Sequence, residues 1–329
     1  MKNSRMRRIT KAILVFTFTV LFAVTSLSAT AAEKKWPTGP IRFICSAAPG
    51  GVLDTMTRGV APYMSAILGV TVVVENMPGA GTRIANQYVF NAKPDGYTIL
   101  FTNNSELTVG EIVHSPRYKT EEFTYIDTFF VEGPALVAKH GSPYDTLGKL
   151  VAAAKEKTIK FGTIGTGGYY HLQALLMAEA AGMKLTVVPY PGGAPITGDI
   201  LGGHIDAGFT GLGIGYAMHK DKKLNCLAQV SKERDKAYSD IPAITEAIPN
   251  FQGGPYIMGF NGPPRLPDAI AKRLGEAYKE AINKKEFQDW TKKVALNITP
   301  LGAAEFKKRM VDTKAQYSKY KDRLKSAVK

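Results

Sequence analysis

The residues of this 329-residue chain with chemical potential are glycines grouped with small polar and charged neighbours. They form three clusters. The first is Ala47, Ala48, Pro49, Gly50 and Gly51 with Asp54, and the second is Pro78-Gly79-Ala80-Gly81 with Thr82 and Arg83. The third is Gly165, Thr166, Gly167 and Gly168 with Tyr169, Tyr170 and His171. Glycine lets backbone N–H groups turn toward a ligand, and a helix start leaves such groups unbonded in a dipole that favours negative charge. The chemistry on offer is the holding of an anion. Arg83 could add a carboxylate clamp. Asn104 and Thr210 stand where apolar strand-like runs end, and join the candidate binding set. Each cluster has a plainer reading: a strand-to-helix turn without ligand, a His171 that bonds its own turn, an Arg83 at the surface, a tyrosine in the core.

Other chemistries lack their motifs. Residues 162–168 have no Lys-Ser/Thr to complete a phosphate loop, and no segment completes the dinucleotide fingerprint. No G-x-S-x-G elbow occurs. The histidines at 114, 140, 171, 204 and 219 show no metal-ligand spacing. No basic stripe interleaved with aromatics suggests nucleic acid. The expectation is therefore no catalytic residue, no metal and no cofactor. A secreted hydrolase with His171 as base and Ser46 as nucleophile is the enzymatic rival.

Those clusters need elements to position them. Residues 41–45 (IRFIC) read as a buried strand, 57–68 as a helix ended by Gly69, and 70–75 as a β-branched strand. A helix over 82–91, the Pro94-Asp95-Gly96 turn and a strand over 97–101 follow. Later come a helix at 146–157, a strand at 159–163 and a helix at 170–181. Strands at 184–190, 205–210 and 225–230 alternate with a helix at 194–201. Pro267 opens a helix, and a lysine-rich helix covers 303–326. Such alternation predicts an α/β fold with largely parallel sheets, whose strand ends collect the glycine turns where ligands bind. The apolar run 123–138 and the glycine- and proline-rich stretch 249–267 read as crossings between two domains.

The first 31 residues predict a secretory signal peptide. Lys2, Arg5, Arg7, Arg8 and Lys11 lead an apolar stretch to a small-x-small site at Ala29-Thr30-Ala31. Removal takes five of the +14 formal charges with it, and the rest is long enough for two domains. The expected product is soluble and exported. Cys45 and Cys226 sit in apolar runs and predict two buried thiols rather than a bridge.

Taken together, the motifs make the chain recognisable. It resembles the periplasmic solute-binding proteins of tripartite tricarboxylate transporters, the Bug family. The match is carried by residues 36–54 (WPTGPIRFICSAAPGGVLD), 74–81 (VENMPGAG), 94–100 (PDGYTIL), 165–172 (GTGGYYHL), 188–209 (VPYPGGAPITGDILGGHIDAGF) and 240–247 (DIPAITEA). The resemblance implies a type II periplasmic-binding fold, two lobes joined by two crossing segments with the ligand cleft between them. On that basis lobe one is 36–138 plus 253–329, and lobe two is 139–252. It implies a monomer without enzymatic activity that captures an organic carboxylate and hands it to the membrane subunits of the transporter. A receptor of the same fold reporting to a sensor kinase is the alternative role. The carboxylate would lie between residues 48–51 with Asp54 and residues 165–171. This chain departs from the family pattern at Ser46 and Ala47, where proline and a large aromatic are usual, at Gly168, where serine is usual, and at Thr82 and Tyr256. These departures predict a wider pocket suited to a larger or aromatic carboxylate.

Overall fold

The structure, a computed structural model, describes residues 36–294 and 296–328. The predicted signal peptide lies outside the described residues. From Gly39 onward the chain forms one compact unit built on two five-stranded sheets.

The first sheet begins with β1 (Ile41–Cys45), α1 (Val52–Leu68), β2 (Val72–Asn76), α2 (Arg83–Phe90) and β3 (Thr98–Asn103). β1 is β-branched and aromatic and pairs in parallel with β2 on one side and β3 on the other, a position that asks for apolar side chains on both faces. Gly69 ends α1 in the left-handed conformation, its N–H closing on the Ser65 carbonyl. The polar residues after β3 wind into a π-helical turn, Ser105–Val109, that leads into α3 (Gly110–His114). The nine-residue strand β4 (Thr124–Glu132) completes this half.

The second sheet contains β5 (Ala135–Lys139), α4 (Leu147–Glu156), β6 (Ile159–Ile164), α5 (Tyr169–Ala181), β7 (Leu185–Tyr190), α6 (Gly193–Gly202), β8 (Ala207–Thr210), α7 (Leu212–Lys220) and β9 (Leu224–Gln229). The chain then returns as β10 (Tyr256–Gly262), followed by α8 (Asp268–Ile282), α9 (Lys285–Lys293), α10 (Ala303–Ser318) and α11 (Lys321–Val328). Strand order is β2-β1-β3-β10-β4 in one sheet and β7-β6-β8-β5-β9 in the other. Two mixed sheets, each with its own helices, make the two-lobed type II architecture.

The sheets are less parallel than the sequence suggests. β10 runs antiparallel to β3 and β4, and β5 antiparallel to β8 and β9. Both are the strands by which the chain enters a sheet from the other one. They start at the shared edge, where the parallel strands end, and so must run the opposite way.

The change of sheet comes at Gly133-Pro134, which places β5, ending at Lys139, wholly in the second sheet. The crossing is tight: a Cβ on Gly133 would lie 2.2 Å from the Val230 carbonyl oxygen. The helix α7 fills a stretch after 210 for which the sequence predicts no element. Its two glycines argue against a helix in isolation, but a Cβ at Gly215 would come within 2.5 Å of the Ala135 Cβ, so the lack of side chain lets the helix press on β5. The lysine-rich terminal helix is two helices, α10 and α11, broken at Lys319. Their apolar residues serve both cores. Phe306 and Met310 pack with Ile44, Leu100 and Tyr125, whereas Tyr317, Tyr320 and Leu324 pack with Leu172, Phe161 and Phe209. Cys45 and Cys226 are free and buried.

Candidate functional site

The strand pair that joins the sheets builds one wall of a cleft. β4 and β10 pair with Tyr256 opposite Glu132 and Met258 opposite Phe130. With a side-chain period of two, those four residues share a face, and all four line a cavity of about 100 Å³. The opposite wall comes from helix starts. Val52, the first residue of α1, and Leu212, the first of α7, both line the cavity, as does Tyr170 in the first turn of α5. Val52 and Ile214 are among the most exposed large apolar side chains and flank its mouth.

The helix starts are poor in side-chain caps. Gly51 caps α1 and Gly211 caps α7, each with extended backbone and no side-chain hydrogen bond to the first turn. The first-turn N–H groups of α1 therefore have no intrahelical partner and no side-chain cap, whereas those of Leu212 and Gly213 in α7 meet the Glu132 carboxyl. α1 packs on the first sheet and α7 on the second, so helix starts from both sheets line one cavity.

The predicted site residues divide between framework and cleft. Asp54 is framework. Its carboxylate accepts from the Gly50 N–H at 2.9 Å, from Asn76 Nδ2 at 2.7 Å and from Arg58 Nε at 2.9 Å. Burial by itself would raise its pKa, but these three donors outweigh it and hold the group below the usual carboxylate range. Asn76 also donates to the Ala47 carbonyl at 3.0 Å, so Asp54 and Asn76 together shape the loop that leaves Ala48, Pro49, Gly50 and Gly51 exposed. Ser46 is enclosed, and its hydroxyl has no hydrogen-bond partner among the described residues. Neither Ser46 nor Ala47 lines the cavity.

The second turn is bent hard, with Ala80 and Thr82 at φ of 48° and 60°. The Thr82 hydroxyl accepts from Asn86 Nδ2 at 3.2 Å. Arg83 directs its charge toward Glu106, a residue absent from the predicted set. Burial pushes the Glu106 carboxyl up to about 7 against the pull of Arg83 and of a hydrogen bond from Ser105.

At the third turn, Gly165 and Gly167 adopt positive φ, which glycine alone does cheaply. Gly165 and Thr166 are exposed. His171 bonds its own turn, accepting the Gly167 N–H on Nδ1 at 3.2 Å, and burial lowers its pKa. That ring nitrogen is therefore occupied as an acceptor. Gly168 caps α5, and a Cβ there would lie 3.1 Å from Ser105 Oγ. Ser105, from the first lobe, accepts the Tyr169 N–H at 2.9 Å. A hydroxyl absent from position 168 is thus supplied from across the cleft. Of the two tyrosines, Tyr169 is core, its hydroxyl donating to the Gly254 carbonyl, while Tyr170 faces the cavity.

Asn104 holds the return strand, donating to the Pro255 carbonyl at 3.0 Å and accepting the Ile257 N–H at 3.0 Å. Thr210 is enclosed beside the α7 cap, and its hydroxyl has no partner among the described residues. Sequence reasoning missed Ser105, Glu106, Glu132 and Leu212. For Glu132 the signal was there: an acid in phase with Phe130 at the end of the crossing strand. Among the described residues no cluster of three His, Cys, Asp or Glu side chains could hold a metal ion, and no helix is long and apolar enough to cross a membrane.

Comparison with known proteins agrees with this architecture. A Polaromonas TctC solute-binding protein, solved without ligand, superposes with a TM-score of 0.77 at 25% identity, over 88% of this chain and 99% of that one. A Rhodopseudomonas palustris protein solved with adipate gives 0.73 at 20% identity, over 88% and 98%. Another from that organism, solved with bound malate, gives 0.66 at 22%, over 89% and 100%. In sequence, a UPF0065 protein of Agrobacterium vitis is 32% identical over 255 residues, covering 76% of this chain and 73% of its own. The profile described as tripartite tricarboxylate transporter family receptor matches residues 56–322. Two glycine-capped helix starts thus line the cleft of a family member: the chain belongs to the TctC family of solute-binding receptors.

Proposed function

We propose that this protein is a periplasmic solute-binding protein that captures an organic carboxylate and delivers it to the membrane subunits of a tripartite tricarboxylate transporter. The observation that carries the reading is the convergence of Val52 and Leu212, first residues of two helices from different sheets, on one cavity, with the start of α1 free of any side-chain cap. Helix N–H groups can neutralise a carboxylate without burying an unpaired cation. Relatives of this fold solved with malate and adipate support the ligand class. Lobe closure about 133–134 and 253–255 would exclude water and signal occupancy to the membrane partner. A carboxylate of malate size or larger needs the lobes to part. The cavity of about 100 Å³ is smaller than the roughly 150 Å³ that accommodates benzene.

Thermal-shift and calorimetric titration with malate, adipate, citrate, glutamate and terephthalate tests the proposal. A true ligand at 100 times its Kd stabilises the protein by about 2.7 kcal/mol, a clear rise in melting temperature. Absence of binding across a broad carboxylate panel at millimolar concentration would overturn the reading. Delivery is tested separately, by loss of uptake of the identified ligand when the protein is deleted.

A further inference from the structure

The strand pair that walls the cleft has a second face. Val131 and Ile257 stand opposite each other, one residue out of phase with Phe130, Glu132, Tyr256 and Met258, so their side chains point away from the cleft. Behind them lies a separate cavity of about 440 Å³, against about 100 Å³ for the cleft. It also spans both halves of the fold. One wall is the loop after β9, residues 231–235, and the other is α10 at Arg309, Asp312 and Thr313. Between them run the two crossings, at Gly133 and at 253–255.

The two walls are free to shift against each other. Arg234 is paired on its own side, with Glu246 at 2.6 Å and with the Ser239 carbonyl at 2.9 Å. Across the cavity, Arg309 pairs with Glu305 at 2.7 Å and Asp312 with Lys308 at 2.7 Å, all within α10. Among the described residues no hydrogen bond or ion pair joins 231–235 to α10. The rear cavity can therefore narrow or widen without breaking a polar contact. Because the strand pair lies between the two cavities, a rocking that opens the cleft narrows the rear cavity, and closure widens it.

We propose that the rear cavity is a control site for the cleft: whatever fills it holds the cleft shut, and whatever draws its walls together holds the cleft open. The coupling acts through populations, since the apparent affinity of a cleft ligand scales with the fraction of molecules in the form that binds it. Lys232 and Thr313 are the levers. They line the rear cavity on opposite walls, and neither lines the cleft. Lys232 is exposed and Thr313 half-buried, so both accept substitution without disturbing a core. The inference stands on the hinge geometry and goes beyond the carboxylate reading, which supplies one of its two readouts.

Two variants push in opposite directions. Thr313→Trp fills the rear cavity and blocks its narrowing, and the carboxylate of the panel that binds wild type should bind it about threefold more tightly. Lys232→Cys with Thr313→Cys, bridged by a short bismaleimide that contains a disulfide, draws the walls together. The same carboxylate should then bind about tenfold more weakly, and the radius of gyration from small-angle X-ray scattering should rise. Reductant cleaves the linker and should restore both values, which separates the effect from damage to the fold. Cys45 and Cys226 are buried and stay out of the reaction. Wild-type affinity in both variants, or scattering that the bridge leaves unchanged, would overturn the control site and leave the carboxylate reading standing. If no carboxylate binds wild type, that reading falls and scattering alone decides: a change reversed by reductant upholds the control site, and no change overturns it.

Discussion

Asp54 organises the first glycine turn, and replacing it with alanine should cost stability before it costs chemistry. The side chain is 4% exposed and gathers three donors at 2.7 to 2.9 Å. A hydrogen bond to a charged group contributes about 1.5–3 kcal/mol, and an exposed ion pair under about 1. Arg58 is half exposed, so its share belongs to the lower class, leaving the Gly50 N–H and Asn76 as the main losses. Because the three bonds share one carboxylate they do not add, and the expected cost is about 3 kcal/mol. For a chain of this size that is a fall in melting temperature of roughly 5 °C. Asp54→Asn keeps an acceptor and should lose about half as much. The wild-type group has a depressed pKa in the fold. Its contribution is complete above the unfolded value near 3.9 and is lost as pH falls through the folded value, so the gap between wild type and Asp54→Asn should close in acid. Denaturant melts of the three proteins from pH 3 to 7 provide the measurement. An Asp54→Ala variant within 0.5 kcal/mol of wild type, a bound set here roughly by the usual scatter of surface substitutions, would refute the assignment of the carboxylate as the turn's organiser.

Two further perturbations follow from the site. Ser105→Ala removes the hydroxyl that accepts the Tyr169 N–H across the cleft; it should shift the lobes toward opening and weaken ligand by about fivefold, the equivalent of roughly 1 kcal/mol, and unchanged affinity and unchanged small-angle scattering would count against the contact. His171, with its pKa lowered by burial, favours the neutral ring in the fold. Stability should therefore be complete above the unfolded value near 6.5 and decline as pH falls from there toward the folded value. Ring titration by NMR showing a pKa at or above 6.5 would contradict it.

Much of the frame was legible because its signals are local. The β-branched run of β2, the glycine after α1 and the proline ahead of α8 each write their element within a few residues. What was illegible depends on partners far away. The antiparallel entry of β5 and β10 follows from which sheet the chain has just left, and no window of sequence records that. Ser105 acts on Tyr169, 64 residues on, so the departure at Gly168 reads as a lost hydroxyl although the fold supplies one. Helix α7 was missed because its glycines lower helix propensity, and only the close approach of β5 explains them. Glu132 stands in a run that reads as a buried crossing. Its place on the cleft wall appears once Tyr256 is seen opposite it.

The two terminal helices set a limit on how the cleft can work. α10 is pinned to the first lobe by Phe306 and Met310 and by Lys314, which reaches Glu111 at 2.7 Å and Glu121 at 2.6 Å. Its far end meets the second lobe at Tyr317, whose hydroxyl accepts from Gln173 at 3.0 Å, while Tyr320 and Leu324 share a core with Val109, Ile112 and Val113 of the first lobe as well as Leu172 and Phe209 of the second. The lobes are thus joined by a strut as well as by two strands. A wide swing would pull bulky rings from packed seats, at a cost of several kcal/mol. The joint at Lys319 offers a cheaper path, flexing between α10 and α11 while both ends stay buried. On this arrangement a shallow rocking of the cleft about Lys319 costs less than a wide opening.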